Sequence, residues 1–154
     1  MIFKKLVSVI LVLVCTLTVV CSCEKQEDDI VEVGGAADIA ATIGADFVVP
    51  SSVKYDTYSV IDGNIGEARF TFNSYVFEYR ASKVKADSGL HGHSDDYHGT
   101  STITIDTRAE VKVYSYSESG RVAVWNYKGT NYTLYSERNP TDDTYTELLD
   151  LLIR

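Results

Sequence analysis

The stretch Leu90–Gly99, Leu-His-Gly-His-Ser-Asp-Asp-Tyr-His-Gly, holds all 3 histidines of the chain, His91, His93 and His98, with Asp95 and Asp96 between them. Neutral imidazole binds zinc, copper or nickel, and three donors around an open position make a reactive centre. Extended backbone would put His91 and His93 on one face. Gly92 would let the chain fold the ligands inward, and His98 or Asp95 would complete the set. The competing reading is a solvated connection between strands. Ordering a loop on binding costs conformational entropy, and structural metal sites usually draw on separated, rigid elements. Zinc or another divalent metal is the one cofactor these residues suggest.

Tyrosine is the second excess, 11 residues beside a single Trp. Tyr114, Tyr116, Trp125, Tyr127, Tyr132 and Tyr135 fall on what should be neighbouring strands. An exposed aromatic row could stack on a sugar or grip a peptide. Tyrosine also favours strands and cross-strand pairs for purely structural reasons. Catalysis has little support, because no nucleophile elbow, phosphate loop or metalloprotease helix occurs. Asp95 and Asp96 are adjacent, so on an extended chain they point apart and make no acid–base pair. The residues point to a non-enzyme.

The N-terminus indicates where such a protein would work. Lys4 and Lys5 precede an uncharged run of 15 residues, Leu6–Val20. That is the layout of a bacterial secretory signal, and it is shorter than the ~20 residues of a comfortable membrane span. Val20-Cys21-Ser22-Cys23 ends it and resembles the lipobox of bacterial lipoproteins, which predicts a signal over residues 1–22 and lipid on Cys23. An ordinary secretory signal and an uncleaved anchor are the alternatives. All three put the remaining chain on the extracytoplasmic side of the cell membrane. Cys15 and Cys21 would leave with the signal, so the folded part would hold neither a disulfide nor a thiol nucleophile.

Residues 1–22 contain 2 of the 14 basic residues and no acid, which leaves 12 against 22 and a formal charge of −10. Such a surface repels nucleic acid and anionic headgroups. Nucleic acid is therefore excluded as a partner, and lipid would be the contact with the membrane. Residues 23–35, the lipidated cysteine and an acidic, glycine-ended stretch, read as a tether.

Residues 36–154 then form one domain. Ile39 and Ile43 with Gly44 beyond them predict a short helix over 36–43. A first strand is expected at Phe47–Val49, stopped by Pro50. From Tyr55 to Ser136, Val, Ile, Thr, Tyr and Phe alternate with turn signals at Asp62-Gly63-Asn64, Asn73-Ser74, residues 118–120 and Lys128-Gly129. Tight turns between successive strands predict a single antiparallel meander. At the end, Thr144 and Glu147 have capping-box spacing, and Asp142 and Asp143 suit a helix N-terminus. Tyr145, Leu148, Leu149 and Leu152 form one apolar stripe. The expected class is α+β, with this helix packed on one sheet face and the other face partly open.

In order, Phe47-Val48-Val49-Pro50, Val60-Ile61-Asp62-Gly63, Phe77-Glu78-Tyr79-Arg80 and Ala123-Val124-Trp125, followed by a tyrosine-rich strand and the last helix, resemble the family called domain of unknown function 4367. The resemblance covers about residues 36–153. It implies an extracytoplasmic domain of Gram-positive bacteria, found on lipoproteins and on membrane proteins similar to anti-sigma factors, with no firmly attached activity. The histidines of the 90–99 loop are not part of that pattern. A binding or sensing lipoprotein of the cell envelope is therefore the first expectation, with an envelope protein or a small ligand as partner. A metal-binding lipoprotein and a structural subunit of an envelope complex are the alternatives.

Overall fold

The computed structural model describes residues 28–154 apart from 87, 94, 95, 107 and 117–119. The expected signal, Cys23 and the first residues of the tether lie outside the described residues, as do Asp95 and most of the turn expected at 118–120. In chain order the elements are β1 (Ile30–Glu32), α1 (Ala36–Ile43), β2 (Lys54–Ile61), β3 (Ile65–Phe72), β4 (Tyr75–Ser82) and α2 (Ser88–His91). There follow β5 (Gly99–Ile105), β6 (Ala109–Ser115), β7 (Arg121–Tyr127), β8 (Thr130–Ser136) and α3 (Asp142–Leu152).

One open, fully antiparallel sheet has the order β1-β2-β3-β4-β8-β7-β6-β5. Two of its hairpins close through two residues at positive φ, Asn73-Ser74 and Lys128-Gly129. That backbone matches the right-handed twist of the strands, and Gly129 adopts it without a steric penalty. The sheet is not one continuous meander. β5 to β8 form a second meander whose last strand, β8, returns to pair with β4. Burial explains the choice. Thr130, Tyr132, Thr133, Leu134 and Ser136 are buried on both faces of β8, as a central strand requires, whereas β5 is exposed at five of its seven residues.

α1 spans the residues expected and stops at Gly44, φ 65°, whose N–H donates to the Ala40 carbonyl. α3 buries all four stripe residues. Its cap, however, is Thr141, whose side chain accepts from the Thr144 N–H, so the helix starts three residues before the expected Thr144–Glu147 box. Phe47–Val49 forms no strand. Phe47 instead plugs into the core, 4.7 Å from Tyr79 between ring centroids. The first strand among the described residues is Ile30–Glu32, inside the stretch read as tether, and it pairs with Ser59–Ile61. The folded structure thus includes part of that stretch from Asp29 onward, where Asp29 exchanges backbone and side-chain hydrogen bonds with Asp62.

α1 and α3 lie on the same face of the sheet. There Ile39, Phe47, Phe70, Phe77, Tyr79, Trp125, Leu134, Tyr145, Leu148 and Leu149 form a single core. All the described elements and this core lie within residues 28–154. On the far face α2 seats Leu90 against Ile61 and Ile65. Among the described residues no helix is long and apolar enough to cross a membrane.

Candidate functional site

The histidine segment does not hang in solvent; it packs on the far face over β4 and β8. Arg80 on β4 is its anchor. Alternation along the strand sends Phe77, Tyr79 and Ala81 into the core and leaves Glu78 and Arg80 on the far face. The guanidinium binds Glu67 at 2.8 Å and Glu78 at 3.0 Å, and its Nη1 donates to the Leu90 carbonyl at 3.1 Å. Gly92, at φ 70°, passes so close that a Cβ there would come within 2.9 Å of that Nη1.

His91 is 5% exposed, and its Nδ1 accepts the backbone N–H of His93 at 3.0 Å. The His93 ring lies on Tyr135 with centroids 3.6 Å apart, and it runs nearly parallel to His91 at 5.9 Å. Its Nε2 stands 3.9 Å from a Glu78 oxygen. Burial, then His91 and Arg80, hold the His93 pKa below its ordinary value. Burial raises the Glu78 carboxyl, and Arg80 opposes that only in part. The arrangement disfavours the protonated imidazole, and the charged groups Glu67, Arg80 and Glu78 engage one another.

His98 is elsewhere in the hydrogen-bond pattern. It is exposed just before β5, and its N–H donates to the Ser115 carbonyl. Among the described residues no three of His, Cys, Asp and Glu converge as metal ligands. Of the four expected ligands, His91 and His93 are neighbours, His98 lies at the head of another strand, and Asp95 is outside the described residues.

The tyrosine set divides between the two faces. Trp125, Tyr127 and Tyr132 belong to the helix-covered face; Trp125 and Tyr132 stack at 5.4 Å, and the Tyr132 hydroxyl donates to the Asp46 carbonyl. Tyr127 is half-buried beneath the Lys128 ammonium. Tyr114 and Tyr135 share the far face through their pairing with Val122. Tyr116 lies past the end of β6 and donates its N–H to Gly120. What the far face adds is Tyr97, whose ring meets Tyr114 at 4.5 Å. Sequence reasoning missed Tyr97, Glu67, Glu78 and Arg80. The polar i, i+2 pair on β4 was the available signal for the last two.

Beside β1 a shallow cleft of about 520 Å³ is lined by Glu32, Asp56, Tyr58, Ser59 and Glu67 among others. The Tyr58 hydroxyl donates to Asp56 at 2.7 Å, and burial together with that carboxylate pushes its pKa up to about 12. Compared with protein-family models, curated proteins and solved structures, the chain shows no significant match.

Proposed function

We propose that this chain is a lipid-anchored protein of the extracytoplasmic side of a bacterial membrane, and that its domain binds or senses without catalysing a reaction. The observation that carries this reading is the N-terminal order Lys4-Lys5, apolar Leu6–Val20, then Ser22-Cys23. The seven-residue step from Cys23 to Ile30 reaches at most about 25 Å when fully extended. Lipid on Cys23 therefore holds β1 and its cleft near the bilayer. We also propose that the chain belongs to the domain of unknown function 4367 family, a reading supported by the order of the short motifs.

The binding surface in this reading is the far face over β6 and β7. The Tyr97–Tyr114 pair, Lys112 and Asn126 lie there beside a shallow depression of about 170 Å³ at Val124 and Asn131. Aromatic area with amide and ammonium donors suits a glycan or a short peptide.

Fractionation of cells expressing the full chain tests the location. The protein is expected in membranes after an alkaline wash, and Cys23→Ala in the soluble fraction; membrane retention of Cys23→Ala contradicts the reading. For the surface, cell-wall glycan fragments and envelope peptides are titrated against tyrosine and tryptophan fluorescence, with Tyr114→Ala as control. A response that Tyr114→Ala leaves intact moves the surface elsewhere.

A further inference from the structure

The two edges of the open sheet differ. β1 has three residues and carries Glu32, whereas β5 has seven and runs in unbroken register against β6. A free edge presents unpaired N–H and C=O groups, and proteins ordinarily blunt it with Lys, Pro, a bulge or a covering segment. β5, Gly-Thr-Ser-Thr-Ile-Thr-Ile, contains no charge and no Pro, and its residues 99–102 and 104 are exposed. The chain as a whole has a formal charge of −8. Most faces of two copies would repel each other, and this uncharged edge would not.

We propose that β5 is a homodimer interface at which two copies pair strand to strand, antiparallel about a two-fold axis at Thr102, into one sixteen-stranded sheet. Centring on Thr102 is the register that pairs all seven residues. It sets Thr102 opposite Thr102, Thr100 opposite Thr104, and Ser101 opposite Ile103. The threonines of both copies then share the far face, where Thr–Thr cross-strand pairs are favourable. Ser101 and Ile103 share the helix-covered side. Just beyond the strand the same register brings His98 beside Asp106, an imidazole N–H against a carboxylate. A strand complementary to itself in pattern and charge is what an isologous contact requires.

β5 is also the edge farthest from β1, about 34 Å away across seven strand spacings. β1, near which the described residues begin, therefore lies at the outer ends of the joined sheet, away from the contact. The inference stands whether or not Cys23 carries lipid.

Sedimentation of residues 24–154 at micromolar concentration tests it. The expected mass is that of two chains. Thr102→Lys leaves an exposed position folded but sets two ammonium groups face to face, and it is expected to sediment as one chain with an unchanged circular dichroism spectrum. A one-chain mass for the unaltered protein, or a dimer that Thr102→Lys leaves intact, overturns the proposal. In the full chain, Thr102→Cys is expected to cross-link to its copy on mild oxidation. Thr100→Cys is not, because its copies would stand about 14 Å apart; the reverse pattern overturns the register.

Discussion

Arg80 joins the sheet to the histidine segment: its Nη1 donates to the Leu90 carbonyl at 3.1 Å while the same guanidinium holds Glu67 and Glu78. Side chains of all three are largely buried, so removing the cation leaves two carboxylates with little water and no counter-charge. Breaking such a pair costs more than an exposed one, though partial exposure screens it. Arg80→Met is expected to lose roughly 2 kcal/mol of stability. Urea unfolding followed by the fluorescence of buried Trp125 reads this directly. A loss no larger than that of an exposed substitution would contradict the role assigned to Arg80.

His93 predicts a pH dependence with a definite sign. Its pKa in the fold lies below the ordinary 6.5, so the unfolded chain takes the proton more readily. Stability from the neutral ring is present above about pH 6.5 and is lost as pH falls through the folded value. Glu78 works in the other direction. Its folded value is raised above 4.5, so its contribution is present below that pH and is lost as pH rises through the folded value. His93→Phe keeps an aromatic ring over Tyr135 without the titration. Relative to the unaltered protein, this variant is expected to lose less stability as pH falls from about 7 to about 5. Equal slopes would show that His93 does not sense the fold.

Gly66 tests the seat of α1 on the sheet. A Cβ at this position would stand 2.2 Å from Ile39 Cγ2, 3.2 Å from Ile43 Cδ1 and 3.4 Å from Phe47 Cε2. Gly66→Ala is expected to cost roughly 2 kcal/mol by overpacking. Gly89→Ala meets nothing within 4 Å and is expected to change stability by less than about 0.5 kcal/mol. Similar chemical denaturation midpoints for the two variants would contradict the packing.

The buried His91, with its Nδ1 occupied by the His93 amide, makes a poor ligand. Zinc titrated into residues 24–154 is expected to give only weak heat that His91→Ala leaves unchanged. Tight one-to-one binding abolished by His91→Ala, His93→Ala and His98→Ala would instead show that the segment rearranges around a metal.

What was legible in the sequence was local. The span of α1, its stop at Gly44, the hairpin turns at 62–64, 73–74 and 128–129, and the buried stripe of α3 each follow from contacts a few residues apart. The β4–β8 pairing was not legible, because a partner more than fifty residues away leaves no periodic mark near Tyr79. β1 escaped for a different reason: three residues inside an acidic stretch are too short to show alternation. The tyrosines were visible as a set, but their faces depend on strand register, which put Trp125 and Tyr132 in the core and Tyr114 outside. The histidine segment looked polar because its partners, Arg80 and Tyr135, come from strands that only the fold brings beneath it.

In the proposed function, lipid on Cys23 holds this domain at the membrane. Mass spectrometry of the N-terminal peptide, from full-length protein isolated from bacterial membranes, tests it most directly. The expected peptide begins at Cys23 and bears a diacylglycerol on its sulfur. A peptide beginning at any other residue, or an unmodified Cys23, would contradict it.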